Sequence, residues 1–375
     1  MEGAGGRMQL TWVLCRVRAG GTLKFLQEGQ GMRIAQVSPL YESVPPKLYG
    51  GTERVVHWLT EELVRRGHDV TLFASGDSRT SARLVAPCEQ ALRLINCADP
   101  LAYHILMLGM VFAERFDIVH FHIDYMHFPL SECAGIPHVT TLHGRLDMPE
   151  LVPVYRHFRN MPIISISDAQ REPLAWAGWQ RTIHHGVPPE LHSFGDGDPG
   201  YLLFLGRISP EKQPDVAIEI AKRANRPLKI AAKVDRVDQA YFDERIKPLL
   251  DHPLIEYVGE VGHERKDELL CGASALLFPI DWPEPFGLVT IEAMACGTPV
   301  IAFNRGSVPE IIEDGVSGFI VEGIEEAVLA VENIGRIDRR GVRRAFERRF
   351  TAARMADEYM QVYESIAAGR RYRTA

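Results

Sequence analysis

A chain of 375 residues is long enough for two separately cored domains, and 46% hydrophobic with 24% charged residues is the composition of an ordinary globular protein. A formal charge of −7 argues against a general nucleic-acid binder, and no run of about 18 apolar residues is available for a transmembrane helix. Six cysteines, at 15, 88, 97, 133, 271 and 296, form no C-x-x-C pair and no regular spacing, so neither a zinc site nor a disulfide framework is signalled and a reducing cytoplasm is the expected home.

Residues 1–31 read as a loose tail or over-extended start: 8–14 is briefly apolar, but Arg16 and Arg18 interrupt it and no small-residue cleavage site follows. From Arg33 onward short apolar strands alternate with amphipathic helices, which predicts a mostly parallel sheet covered by helices. Strands are expected at 33–37, 69–73, 118–121, 138–142 and 163–166. A helix is expected over 53–66, with Thr52 as its N-cap and Gly67 as its stop. Gly50-Gly51 ahead of it lets backbone amides come close to a phosphate or sugar, although the pair is not a G-x-G-x-x-G fingerprint.

In His120-Phe-His122-Ile-Asp124, strand alternation puts His120, His122 and Asp124 on one side. A metal would need further ligands and an outer shell that the pattern does not supply. His143 ends the 138–142 strand, where cleft residues are expected, and an uncharged imidazole there can position a hydroxyl or act as a base.

The segment 191–200, with three glycines, two aspartates and a proline, reads as a linker, and its Asp196-Gly-Asp198 as a turn. A second alternating series follows, with strands expected at 202–205, 229–232, 255–258, 275–278, 300–303 and 318–321. The two series predict an α/β fold of paired Rossmann-like domains facing across a cleft, with the site at the carboxyl ends of the strands. After the first strand of the second half, Gly206-Arg207-Ile-Ser-Pro-Glu-Lys212 places two cations five positions apart, a fork and a point charge able to neutralise a diphosphate.

Glu284-Pro-Phe-Gly-Leu-Val-Thr-Ile-Glu292 sets two carboxylates around a turn that opens a helix at Phe286-Gly287, and Cys296-Gly-Thr-Pro299 closes that helix. The helix start directs free amides and positive dipole at an anion, while the acids can accept hydrogen bonds from hydroxyls. That combination suits sugars flanking a diphosphate.

The stretch from Pro279 to Ala302 closely resembles the retaining family 4 glycosyltransferases of the GT-B fold, and the likeness extends from Met32 to about Ala367. It implies a tail at 1–31, an acceptor domain at 32–190, a linker at 191–200, a donor domain at 201–350 and a C-terminal segment at 351–375 whose helix, 352–367, crosses back to the first domain. It also implies transfer of a hexose, UDP-glucose being the first donor to consider, to a hydroxyl of a small molecule, glycan or lipid-linked acceptor. Glu284 would then hold donor-sugar hydroxyls, Glu292 the ribose, and Arg207 with Lys212 the diphosphate. Phe286, Gly287 and Leu288 would supply backbone contacts, Gly50 and Gly51 would cover the phosphates and reacting sugar, and His143 would border sugar and acceptor. The resemblance implies no metal and no other cofactor, no nucleic-acid partner, and at most peripheral membrane contact. The loop at 233–238 departs from the family's glycine-rich turn, and its Lys233 is placed to approach the nucleotide. A sugar-nucleotide epimerase and a non-catalytic sugar-nucleotide binder are the rival readings.

Overall fold

The computed structural model describes residues 31–47, 50–195 and 200–369. The 1–30 part of the expected tail and the Asp196-Gly-Asp198 turn lie outside the described residues.

The first half is a seven-stranded sheet built from β1 (Arg33–Val37), β2 (Asp69–Phe73), β3 (Arg83–Val85), β4 (Ile118–Phe121), β5 (His138–Thr141), β6 (Ile163–Ser165) and β7 (Trp179–Thr182). All of its pairings are parallel, in the order β3-β2-β1-β4-β5-β6-β7. The second half is a six-stranded parallel sheet from β8 (Tyr201–Ile208), β9 (Leu228–Val234), β10 (Ile255–Tyr257), β11 (Ala273–Phe278), β12 (Val300–Phe303) and β13 (Gly318–Val321), in the order β10-β9-β8-β11-β12-β13. Each sheet therefore reverses direction beside its first strand, between β1 and β4 and between β8 and β11, and a crevice opens where the helices part at such a switch point.

The strands are continuous apolar runs because helices cover both faces. Every residue of β11 and β12 is buried, and an aliphatic side chain so buried contributes about 1.5–3 kcal/mol. The helices that shape the site are α1 (Gly51–Arg65), α2 (Pro214–Arg223), α3 (His263–Gly272), α4 (Leu288–Ala295), α5 (Arg339–Arg349) and α6 (Ala352–Ala367).

The chain crosses between the halves twice, side by side: Val187 pairs with Thr351 as a parallel bridge, Val187 donating to Phe350 and accepting from Ala352. Gly186 is required there, since a Cβ would sit 2.3 Å from the Thr351 carbonyl oxygen. Past that bridge α6 returns to the first sheet, where it packs on α1 and Arg66 binds Asp357 at 2.5 Å and the Ala353 carbonyl at 2.8 Å.

Candidate active site

Between the carboxyl ends of the two sheets lies a cavity of about 440 Å³. Gly50, Gly51 and His143 reach it from the first half, and Arg207, Lys212, Glu284, Phe286, Gly287, Leu288 and Glu292 from the second. Every residue singled out from the sequence as a site residue thus lines one cavity.

Two helix starts face into it, and both depend on glycine. The N-cap of α1 is Gly50, with φ 154°, and a Cβ there would meet the Pro46 ring at 2.8 Å. The expectation that Thr52 caps this helix is corrected: Thr52 lies inside its first turn, because the two glycines carry the backbone into the helix one step earlier. On the opposite wall α4 is capped by Gly287 in the left-handed region at φ 79°, and a Cβ would press on the Phe278 ring at 3.0 Å. In each helix the first amides have no intrahelical partner and present partial positive charge to the cavity.

Beside the α4 start the cations and acids are already paired. Lys212 binds Glu284, whose Oε2 also accepts from the Trp282 indole at 2.9 Å, and the ammonium lies 5.0 Å from the centre of the Trp282 ring. Arg207 binds Glu211 and lies 3.9 Å from Asp235 and 3.7 Å from Asp238. Lys233 joins the cavity wall and is paired with Asp235 at 2.7 Å. The carboxylates hold these long cationic side chains in place in the unliganded cavity, so part of the cost of ordering them is already met.

The backbone of Glu284 is fixed from behind by the loop after β12: Ser307 donates to the Glu284 carbonyl at 3.0 Å and its hydroxyl donates to the Phe286 carbonyl at 3.0 Å. Gly306, at φ 53°, passes so close that a Cβ would stand 2.5 Å from Glu284 backbone atoms.

Glu292 is fully enclosed in the middle of α4. Burial disfavours its charge, but the Lys266 ammonium of α3, His192 and Arg54 outweigh that cost and hold its pKa below the ordinary value. Lys266 and Trp282 escape a reading of the sequence, since nothing local marks either as a partner of a distant acid. Glu53 escapes it too: it sits in the first turn of α1, buried at the cavity wall, and desolvation raises its carboxyl to about 7.

His143 stands at the end of a hydrogen-bonded chain that runs to the C-terminal helix. Its Nε2 meets His122 Nδ1 at 2.9 Å, His122 Nε2 meets the Gln36 side-chain oxygen at 2.9 Å, and the Gln36 amide donates to the Tyr363 hydroxyl at 3.0 Å. Burial holds both histidines neutral, His122 well below its usual range and His143 at about 3. A neutral His122 that donates from Nε2 to the Gln36 oxygen must accept at Nδ1, so His143 donates from Nε2 and keeps a bare lone pair on Nδ1. That Nδ1 is buried and has no protein partner.

His120 also faces this chain, binding the Tyr363 hydroxyl at 2.6 Å and Thr141 at 2.8 Å, so it and His122 do share a side of the sheet. Asp124 does not join them. The strand ends at Phe121 and Asp124 turns away with φ 51°, so the alternation that would have aligned it stops short. Among the described residues these three form no metal-ligand cluster.

Two doubly wound parallel sheets, with helix starts, cations and acids converging at their facing carboxyl ends, are the GT-B architecture of glycosyltransferases. The model of glycosyltransferase family 4 matches residues 49–191 and that of glycosyl transferases group 1 matches 193–337, and the chain belongs to this family. It is 26% identical over 337 residues to an uncharacterized glycosyltransferase, MJ1607, of Methanocaldococcus jannaschii, covering 77% of this chain and 85% of that one. The crystal structure of AviGT4, a glycosyltransferase of avilamycin A biosynthesis, is 25% identical with a TM-score of 0.71 and covers 91% of this chain and 100% of its own. Anabaena Alr3699/HepE, solved in complex with UDP-glucose, shares the fold at 18% identity with a TM-score of 0.67, over 89% of this chain and 100% of that one. The protein is a glycosyltransferase. No helix among the described residues is long and apolar enough to cross a membrane.

Proposed function

We propose that the protein is a retaining hexosyltransferase that moves a sugar from a nucleoside diphosphate, UDP-glucose first among candidates, to a hydroxyl acceptor without a metal ion. In this reading the 32–190 half takes the acceptor and the 201–350 half the donor. The observation that carries it is the meeting of Lys212, Glu284 and Arg207 beside the α4 start, within one cavity that Gly50 and Gly51 close from the other side.

The diphosphate lies against the amides of α4 and takes Arg207 and Lys212 as counter-charges, whose attraction grows as the bond to the sugar breaks and negative charge gathers on the leaving oxygen. Lys212 then shares its protons between phosphate and Glu284. Glu284 accepts from hydroxyls of the sugar, and Glu292, held ionised by Lys266, accepts from the ribose. His143 accepts a further hydroxyl at its bare Nδ1. The reading takes the family's same-face substitution, in which the departing phosphate takes the acceptor proton.

Incubation with UDP-, GDP-, ADP- and dTDP-sugars and a panel of hydroxyl acceptors tests the proposal. Transfer releases nucleoside diphosphate and, from an α-linked donor, gives an α-linked product by proton NMR, with turnover unaffected by magnesium, manganese or a chelator. An altered donor sugar without transfer would mean an epimerase, tight donor binding without turnover a binding protein, and a β-linked product would end the retaining assignment.

A further inference from the structure

At the C-terminal end of α4, one turn past Glu292, three side chains from three separate segments bring ligand atoms together. His192 Nδ1 lies 2.9 Å from Asp267 Oδ1, Cys296 Sγ lies 3.6 Å from the same oxygen, and the sulfur and nitrogen are 3.8 Å apart. His192 and Cys296 are buried, and Asp267 keeps a fifth of its side chain exposed. We propose that His192, Asp267 and Cys296, with water in the fourth position, form a binding site for a divalent ion of the zinc class that ties the inter-half connection to α3 and α4.

The donor set and the triangle fit such an ion. Imidazole, carboxylate and thiolate are the ligands zinc takes, and tetrahedral bonds of the usual lengths put their donor atoms about 3.4–3.6 Å apart. The two edges that end on sulfur are already near that size. The third is shorter because a proton is shared along it: the imidazole N–H and the thiol S–H both point at one carboxylate oxygen. An ion at the centre takes the place of both protons: the thiol proton leaves to solvent, the imidazole ligates as the neutral tautomer with its proton on Nε2, and the nitrogen and oxygen need to part by about half an ångström.

Cys271 follows Asp267 by one helical turn on α3, so both point to the same side, and its thiol donates to the Ser193 carbonyl at 3.1 Å. It is partly exposed and gives the ion an entry side. The frame around the ligands is stiff. Arg343 of α5 holds the carbonyls of His192 at 3.2 Å, Pro189 at 3.1 Å and Ala295, while Arg339 holds the Gly195 carbonyl at 2.7 Å and the Cys271 carbonyl at 3.0 Å. Ser193 also donates its amide to Asp267.

Asp267 adjoins Lys266 in sequence, and Cys296 is one turn beyond Glu292, so an ion here steadies the two helices that present the buried acid and its counter-ion. This inference is independent of the donor proposal: its readout is metal binding, and transfer by the chelated enzyme would leave it standing.

Cobalt(II) titration of the full-length reduced protein tests it. One equivalent should give a thiolate-to-cobalt charge-transfer band in the near ultraviolet with visible bands of tetrahedral intensity, zinc should displace it, and zinc should raise Tm by several degrees. Cys296→Ser and Asp267→Asn, checked as folded by circular dichroism, should lose the band, and Cys271→Ser should keep it. Absence of any charge-transfer band in the wild-type protein, or a band kept at full intensity in Cys296→Ser, would overturn the proposal.

Discussion

At the scale of single residues, the site works by pairing each buried or half-buried charge before a ligand arrives, and each pairing predicts a separable defect. Lys212→Ala leaves Glu284 with the Trp282 indole and, under the proposed function, removes a charge whose value rises as the diphosphate departs. A fall in kcat corresponding to about 2–4 kcal/mol of lost barrier stabilisation is expected, together with some loss of Tm because the largely buried Glu284 loses its counter-charge. Near-normal kcat would remove Lys212 from the chemistry. Glu292→Gln keeps its size but leaves the buried Lys266 ammonium without its carboxylate, so both stability and donor affinity should fall. Steady-state kinetics should show a rise in donor KM that exceeds the change in kcat, and an unaltered KM would show that Glu292 does not touch the donor. Glu284 and Glu292 line the cavity, as their place around a helix start and the family resemblance of that stretch led us to expect. Lys266 was not: it lies 26 residues before its acid, and only the packing of α3 against α4 reveals the pair.

At the scale of elements, the site is two helix amino ends brought face to face, and the glycines that cap them are structural necessities. Gly50→Ala forces a side chain into the Pro46 ring at 2.8 Å and onto a backbone with φ 154°. We expect a loss of Tm together with weakened donor binding by calorimetry. A variant with wild-type affinity would mean that the α1 start does not cover the donor.

Most strands were readable because fully buried parallel strands are short apolar runs between turns, and β1, β2, β4, β12 and β13 fall on their expected residues. β3 and β7 were missed. Each is an edge strand, short and mixed in polarity: Arg-Leu-Val in one case and Trp-Gln-Arg-Thr in the other. The histidine chain was half legible. His143 ends a strand, as expected, but the Gln36–Tyr363 bond that sets its tautomer joins residues 327 positions apart, and no local pattern encodes that contact.

For the whole molecule, the buried imidazoles govern the response to acid. Burial keeps His120, His122, His127, His143 and His185 neutral, their pKa values lowered below the ordinary 6.5. The unfolded chain binds those protons first, so their contribution to stability is complete above about pH 6.5 and is lost as pH falls below it, by up to about 1.4 kcal/mol per pH unit for each histidine. Glu53 and Asp124, raised to about 7 and 6 by desolvation, oppose this in part, since the folded state favours their protonated forms. Urea midpoints at pH 7.5 and 5.5 check the balance: a lower midpoint at pH 5.5 is expected, and an equal or higher one would mean that the histidines are not buried neutral.

The two halves, joined by the Val187–Thr351 bridge and the returning α6, exist in this account to hold one donor between them. The most direct test is a crystal structure with the nucleoside diphosphate that best stabilises the protein in a thermal-shift screen. The account predicts phosphate oxygens within hydrogen-bond reach of Arg207, Lys212 and the first amides of α4, with ribose hydroxyls on Glu292. A nucleotide bound outside this cavity, or seated with its base at Glu284 and its phosphates away from both cations, would contradict it.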